Sequence, residues 1–243
     1  GYSRFTSSKN DVQASVLTFV PMNDTCEVSQ LKLTNNSSEE KTLSVFSYVE
    51  WCLWNADDDS RNFQRNYSTG EVEVVGSTIF HKTEYRERRN HYAIYSVNAE
   101  IAGFDTIREA FLGSYRGAYE PEAVEKGACT NSMASGWQPI ASHQLNITLA
   151  PGETKSYVFV LGYIENPEEE KWESYGVINK TRAYAMLDRY KTDADVEKAF
   201  AELNDYWKKL LSKYTVKSSN DKVDRMVNIW NQYQCMVTFN MSR

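Results

Sequence analysis

The stretch Leu-Asn-Ile-Thr-Leu-Ala-Pro-Gly-Glu-Thr-Lys-Ser-Tyr-Val-Phe-Val-Leu-Gly-Tyr-Ile, residues 145–164, decides the fold class. Apolar and polar residues alternate from Leu145 to Leu149, which is the period of a half-buried strand. The Ala-Pro-Gly-Glu sequence at 150–153 is a turn, and Lys155–Ile164 is a second run rich in β-branched and aromatic residues. We expect two antiparallel strands paired around this turn, a pattern that is common in β-sandwiches.

Upstream of this stretch, further runs rich in Val, Ile, Tyr, Phe and Thr read as strands. They are Val12–Val20, Cys26–Thr34, Thr42–Trp54, Val72–His81 and His91–Val97. Turn residues at 21–24 and 35–40 separate the first three. Residues 103–142 read as irregular, because several glycines interrupt any period. Many short strands at this spacing predict a mainly β, antiparallel β-sandwich.

Downstream, the sequence becomes helical from Pro167, where three glutamates follow a helix-starting proline. An apolar stripe of helical spacing begins after Asp193, and Ser218-Ser219-Asn220 predicts the cap of another helix. We therefore divide the chain into a β-sandwich at 1–165, a helical linker at 166–218 and a further helix at 219–243. Neither end of the chain reads as natural, so we expect a segment of a longer polypeptide.

Composition and charge exclude several classes of protein. A net charge of −6 argues against a nucleic-acid surface. No apolar run is long enough to span a bilayer, and no signal peptide opens the chain. The four cysteines, Cys26, Cys52, Cys129 and Cys235, have no paired spacing. They read as reduced residues of a cytoplasmic protein without a disulfide framework or a zinc site.

The polar stretch at 51–71 is the candidate binding loop. It combines arginines, amides and aromatic rings, which are the groups that hold sugar hydroxyls and the apolar face of a sugar ring. On composition alone, the simpler interpretation remains a solvated polar turn in which the acids and the arginines neutralise each other. The consecutive acids Asp57, Asp58 and Asp59 could form a glycosidase pair, but adjacent acids point in different directions and favour a solvated loop.

Other candidate groups have structural interpretations. His81, His91 and His143 have no partner at metal-ligand spacing, so we expect no metal site. Arg86-Glu87-Arg88-Arg89 is an exposed salt-linked turn or part of a subunit contact. No phosphate loop, nucleophile elbow or Cys/His pair is present, and the residues alone lead only to a sandwich with a sugar-competent loop and attached helices.

Several runs resemble the cellobiose phosphorylases, of the inverting disaccharide phosphorylase family that includes the cellodextrin and chitobiose enzymes. The resemblance covers nearly the whole chain. It rests on Cys52-Leu-Trp-Asn-Ala, Asn62-Phe-Gln-Arg-Asn, Ser68-Thr-Gly-Glu-Val-Glu, the His81–Tyr92 run, Ala134-Ser-Gly-Trp, the Glu165–Trp172 run and Phe239-Asn-Met-Ser-Arg.

The resemblance implies that the sandwich is followed by linker helices and by an (α/α)6 catalytic barrel, of which 219–243 is the first helix and the rest lies beyond Arg243. It implies a glycosyltransferase that converts cellobiose and phosphate reversibly, with inversion, into α-glucose 1-phosphate and glucose. Phosphate is a substrate, so no cofactor is expected, and the general acid lies in the barrel, so this segment contains no catalytic residue. Arg243 matches a phosphate-binding arginine, although a cation at a helix C-terminus is the structural alternative.

By the same resemblance, Asn62, Gln64 and Arg65 match the surroundings of the acceptor sugar. Their loop reaches the neighbouring subunit in this family, which implies a homodimer. Two other classes stay open beside a cellodextrin phosphorylase: a non-catalytic carbohydrate-binding sandwich and a purely structural dimerisation domain.

Overall fold

The computed structural model describes residues 1–51, 71–82, 90–136 and 139–241. The chain forms two compact units, Gly1–Val196 and Glu197–Arg243, and each is described by itself. The first unit is mainly β. Its strands are β1 Tyr2–Lys9, β2 Val12–Phe19, β3 Cys26–Asn35, β4 Lys41–Phe46, β5 Val49–Glu50, β6 Glu71–Val75, β7 Thr78–Lys82, β8 His91–Val97, β9 Gly103–Ile107, β10 Pro139–Leu149, β11 Thr154–Glu165, β12 Trp172–Ser174 and β13 Val177–Ile178.

Two antiparallel sheets make up the sandwich. One has the strand order β1-β2-β3-β11-β8-β7-β6. The other has the order β4-β10-β5, with β9 also paired to β10. Every ladder between the named strands of both sheets is antiparallel. The predicted mainly β, antiparallel fold is therefore confirmed.

Alternate residues of both sheets point into a shared core, as expected for strands with one buried face. Its buried members include Leu33, Ile79, Val97, Leu145 and Phe159. Each fully buried side chain of this kind stabilises the fold by about 1.5–3 kcal/mol relative to an exposed one. The core therefore fixes the register of the strands that carry the polar groups described below.

The Ala-Pro-Gly-Glu turn does not join a paired hairpin, and this part of the sequence-based expectation was wrong. β10 and β11 belong to different sheets, so the turn crosses the sandwich. Asn35, which is fully buried, holds the crossing: its amide donates to the carbonyls of Leu149 and Ala150 at 3.0 and 3.2 Å. Its backbone N–H donates to the Glu153 carbonyl at 3.0 Å. Turn chemistry specifies a reversal of direction, whereas the partner strand is chosen by long-range packing.

Two predicted strands are each divided in two. Val72–His81 forms β6 and β7, joined by a tight turn in which Gly76 has a φ of +58°. A positive φ at the first turn position suits glycine, and Gly-Ser is a hairpin signal that the apolar run concealed. Thr42–Trp54 is interrupted between β4 and β5, and its last residues, 52–54, lie outside the described residues.

The segment expected to be irregular, 103–142, contains β9, the start of β10 and two short helices, α1 Arg108–Leu112 and α2 Glu122–Lys126. A small second core forms here from Phe111, Leu112, Ala123 and Ile140. The ring of Tyr48 stacks on Phe111 with centroids 5.2 Å apart. The two helices were missed because each has only five residues, which is too short to establish a period.

The expectation that the chain becomes helical from Pro167 was wrong for its first part, because a single 3₁₀ turn, Glu168–Glu170, is followed by the β12–β13 hairpin. Longer helices begin only at Thr181. They are α3 Thr181–Leu187, a 3₁₀ turn Asp188–Tyr190, α4 Asp193–Leu211, α5 Asp221–Arg225, a π-helical turn Met226–Trp230 and α6 Asn231–Met241. The predicted cap is confirmed, because the Asn220 side chain accepts from the Lys222 N–H at 3.0 Å. The divisions at 165 and 218 stay predictions. Across the described helices, none has both the length and the apolar character needed to cross a membrane.

Candidate functional site

The residue that follows segment 52–70 and the residue that precedes segment 83–89 are neighbours at one end of the sandwich. Trp51 precedes residues 52–70 and Glu71 follows them. Glu71 pairs in register with Lys82, which precedes residues 83–89. Ser135 forms an isolated bridge with Glu71. Three of the runs that carry the family resemblance are therefore adjacent here, and one of them, the Ala134 run, is distant in the chain from the other two.

Trp51 and His81 form a buried aromatic pair beside this boundary. Their rings are nearly parallel, at 10°, with centroids 5.4 Å apart. Within the described part of the chain, neither His81 nitrogen has a hydrogen-bond partner. Burial lowers the pKa of His81 to about 4, so the ring is neutral near pH 7. The pair packs the core and does not offer a general base.

His143 is a second buried neutral histidine. Its Nδ1 lies 3.2 Å from the Ser47 hydroxyl, and its ring stacks on Tyr95 with centroids 5.0 Å apart. Burial lowers its pKa to about 3. Burial therefore keeps the rings of both histidines neutral near pH 7, which is unsuited to acid catalysis.

The two buried histidines predict a loss of stability in mild acid. Their folded pKa values lie below the unfolded value of about 6.5, so only the unfolded state takes up protons as the pH falls below 6.5. Stability is retained above about pH 6.5 and falls between there and pH 4, by up to about 1.4 kcal/mol per pH unit for each histidine. Urea unfolding at several pH values measures this slope. His81→Gln should reduce the slope, and an unchanged slope would contradict the assignment.

A charged cluster formed by Glu73, Lys82 and Lys180 lies on the outer face of the seven-stranded sheet. The Lys82 Nζ is 2.9 Å from Glu73 Oε1 and 3.1 Å from Glu71 Oε2, and the Lys180 Nζ is 2.6 Å from Glu73 Oε2. The two lysine side chains are only 9% and 6% exposed. Such burial is tolerated by charged groups only when they are paired.

The shared carboxylate responds to this environment. Burial would raise the pKa of Glu73, but hydrogen bonds from Lys180, the Ile178 N–H and Lys82 outweigh it and lower the pKa. The pKa of Lys82 is raised, because its pairing with Glu73 and Glu71 outweighs burial. Glu73 is therefore ionised near neutral pH and serves both lysines, so it is unsuited to act as a general acid.

The cluster fastens the β12–β13 hairpin to the sheet. The Lys82 Nζ donates to the Gly176 carbonyl, and it lies 5.4 Å from the centroid of the Trp172 ring. The Ile178 N–H donates to Glu73 at 3.0 Å. Lys82 thus contacts both the strand that follows residues 52–70 and the hairpin, which fixes the base of this end of the sandwich.

A second polar cluster positions Ser135. Asp105, which is fully buried, accepts hydrogen bonds from the backbone N–H and the hydroxyl of both Thr130 and Ser132, at 2.5 to 3.1 Å. A buried carboxylate satisfied by several donors holds a loop rigidly. Residues 130–132 are therefore fixed against β9, and Ser135, three residues further on, lies beside Glu71.

The sequence-predicted site residues Asn62, Gln64, Arg65 and Arg243 lie outside the described residues, as do Asp57–Asp59 and the Arg86–Arg89 run. Sequence analysis missed Glu73, Lys82, Lys180 and Asp105. The available signal was the presence of charged residues inside apolar strands, but it did not show which of them would meet.

The described part of the site can position a loop, but it supplies no reacting group of its own. Its buried carboxylates are each occupied by lysines or by backbone and hydroxyl donors. Among the described residues, no three His, Cys, Asp or Glu side chains are placed to hold a metal ion. The chemistry this end of the sandwich can support is the precise orientation of polar side chains.

Comparison with known proteins gives the family. The family described as "Glycosyl hydrolase 94, supersandwich domain" matches residues 1–193, and "Glycosyl hydrolase 94 superfamily, catalytic domain" matches residues 206–243. The chain is similar to an N,N'-diacetylchitobiose phosphorylase of Vibrio proteolyticus, with 29% identity over 96% of this chain and 27% of that protein. It is 25% identical to a solabiose phosphorylase of Paenibacillus borealis, over 98% of this chain and 29% of that protein.

A cyclic beta-(1,2)-glucan synthase of Rhizobium meliloti is also similar, with 26% identity over 97% of this chain and 8% of that protein. The chain thus spans less than a third of the length of each of these three relatives. The supersandwich match extends over most of the chain, in the region where the structure has two antiparallel sheets. The chain therefore belongs to the glycosyl hydrolase 94 family.

Proposed function

We propose that the full-length protein containing this chain is an inverting disaccharide phosphorylase, a glycosyltransferase that cleaves cellobiose with phosphate to α-glucose 1-phosphate and glucose. The observation that carries the proposal is the order of the two family matches, the supersandwich first and the catalytic domain after it. The names of two relatives, both phosphorylases of disaccharides, support the reaction class. The choice of cellobiose rests on the sequence runs that resemble the cellobiose enzymes, and a cellodextrin phosphorylase is the alternative.

The proposed reaction needs only one enzyme acid. An inverting hydrolase uses a second carboxylate to activate water, whereas phosphate is already an anionic nucleophile. Phosphate needs positioning and charge neutralisation, which the fork-shaped guanidinium of arginine supplies through paired hydrogen bonds. The ion-paired carboxylate of Glu73 and the hydrogen-bonded carboxylate of Asp105 agree with a sandwich that orients groups, and we propose that the acid is provided elsewhere in the protein.

We propose Arg243 as a phosphate ligand, and Asn62, Gln64 and Arg65 as ligands of the acceptor glucose. The last three belong to the segment whose two ends are held by the Trp51–His81 stack and by the Glu71–Lys82 pair. A rigid base is what a loop needs in order to place polar side chains within hydrogen-bonding distance of a sugar. We also propose a cytoplasmic homodimer, on the basis of the family resemblance.

A substrate panel tests the function. Full-length protein is incubated with inorganic phosphate and, separately, cellobiose, cellotriose, N,N'-diacetylchitobiose or solabiose, and the released sugar 1-phosphate is measured. We expect α-glucose 1-phosphate from cellobiose with the highest kcat/KM of the panel, because the acceptor site discriminates through hydrogen bonds to hydroxyls. Release of free glucose without any sugar phosphate would contradict phosphorolysis. A higher kcat/KM for cellotriose would favour the cellodextrin alternative.

A further inference from the structure

A pocket on the outer face of the sandwich is used by no step of the proposed function. It lies where the turn before β3, the end of β11 and helix α3 come together, and its volume is about 380 Å³. That volume falls in the lower part of the range of roughly 300–1,000 Å³ for small-molecule sites. Its lining includes Asp24, Ile164, Glu165, Arg182, Met186 and Arg189. We call it the Arg182 pocket.

One wall of the pocket is preorganised by Asp24. Its Oδ2 accepts from the Arg189 Nε at 3.0 Å, the Arg189 Nη2 at 2.7 Å and the Tyr190 hydroxyl at 2.7 Å. The Asp24 side chain is only 8% exposed. The Arg189 Nη1 also donates to the Ala185 carbonyl at 3.0 Å. The guanidinium plane is therefore held in place before any ligand arrives, which lowers the entropy cost of binding.

Arg182 supplies donors that the protein leaves open. Its Nη1 donates to the Glu165 backbone carbonyl at 2.9 Å, which fixes the side chain at the rim. Within the described residues it forms no ion pair, so its Nε and Nη2 remain available as donors. Arg182 and Arg189 are seven positions apart, two helical turns, and both line the same pocket.

The pocket also contains an acceptor and an apolar wall. The Glu165 carboxylate is 62% exposed, and apart from a 3.4 Å approach to His91 it is open to solvent. Ile164 and Met186, whose side chains are almost fully buried, are apolar residues of its wall. The lining therefore offers guanidinium donors, a carboxylate acceptor and a hydrocarbon surface within one small volume.

The charges of the lining balance. Two carboxylates, Asp24 and Glu165, face two guanidiniums, Arg182 and Arg189. A neutral lining does not concentrate polyanions or polycations. It does suit a ligand that carries hydroxyl groups acting as both donors and acceptors, together with an apolar C–H face. We propose that the Arg182 pocket binds a neutral mono- or disaccharide.

Methyl NMR tests the proposal at the pocket itself. The ¹³C-labelled methyl groups of Met186 and Ile164 report from its wall, and the protein is titrated separately with cellobiose, glucose, α-glucose 1-phosphate and inorganic phosphate. We expect saturable shifts of both methyl signals with cellobiose or glucose, at millimolar dissociation constants. Arg182→Ala should weaken this binding about tenfold or more, because a charged hydrogen bond to the sugar is lost.

Arg116→Ala is the matched control, since Arg116 is another exposed arginine, paired with Glu125, outside the pocket. Its titration should equal that of the unmodified protein. Three results would overturn the proposal: no saturable shift up to about 50 mM sugar, saturation by the two phosphates but by neither neutral sugar, or equal affinities in Arg182→Ala and the unmodified protein. Because the readout is local to the pocket, it is independent of whether the protein performs phosphorolysis.

Discussion

Replacing Glu73 with glutamine is expected to lower the free energy of unfolding by about 3–5 kcal/mol, because it removes the nearest counter-ion of two buried ammonium groups. Only exposed carboxylates then remain beside them, Glu71 at 3.1 Å from Lys82 and Glu173 at 3.7 Å from Lys180. Lys82 and Lys180 are each less than a tenth exposed, and both contact Glu73 within 3 Å. Glutamine keeps the shape of the side chain, so the change isolates the charge. For a chain of this length, such a loss corresponds to a decrease in Tm of roughly 10 °C.

The same strand offers a matched control. Glu71 also pairs with Lys82, at 3.1 Å, but its side chain is 62% exposed. Glu71→Gln should therefore change the free energy of unfolding by no more than about 1 kcal/mol. Chemical denaturation of both variants at pH 7 makes the comparison. Equal effects would mean that burial does not set the energetic importance of this cluster.

Replacing Arg243 with alanine in the full-length protein is expected to raise the KM for phosphate far more than the KM for cellobiose. The proposal makes this guanidinium a ligand of a buried anion, and loss of such a charge-assisted contact costs on the order of 2–4 kcal/mol. That is a factor of roughly 30 to several hundred in affinity. Initial rates over a grid of both substrate concentrations measure the two constants.

Arg65→Ala is the control with the opposite expectation. Because Arg65 is proposed to contact the acceptor sugar, its loss should weaken glucose in the synthetic direction, by about tenfold to a hundredfold, and leave phosphate much less affected. If Arg243→Ala raised both Michaelis constants equally, the phosphate role would be refuted, and the cation would be assigned to the end of its helix.

Strands with a clear period could be predicted from the sequence. His91–Val97 coincides with β8, and the prediction for Cys26–Thr34 differs from β3 by a single residue. The cap predicted at Ser218-Ser219-Asn220 could also be found from the sequence, because a cap bonds to backbone groups only a few residues away. In each case the pattern that identifies the element lies within a few residues, so a single sequence window contains it.

Partner choice could not be predicted in this way. The alternation of apolar and polar residues at 145–164 predicts two strands, but it does not show that β10 and β11 belong to different sheets. That choice is made by long-range packing, and the crossing is held by Asn35, which lies far from the turn in sequence and donates buried hydrogen bonds to it. At Gly76 the error was of the opposite kind. The Gly-Ser turn is a local signal, but it was overlooked because apolar residues flank it on both sides.

The same distinction between local pattern and long-range packing applies to the candidate site. The sequence by itself predicted the strands, and its motif runs carried the resemblance to a phosphorylase family. Only the tertiary structure decided that Glu73, Lys82 and Lys180 share one buried cluster, and that Arg182 lines the same pocket as the Arg189–Asp24 pair. Local periodicity depends on backbone geometry over a few residues, whereas these contacts depend on which strands pair and which faces pack, and that is settled only by the whole fold.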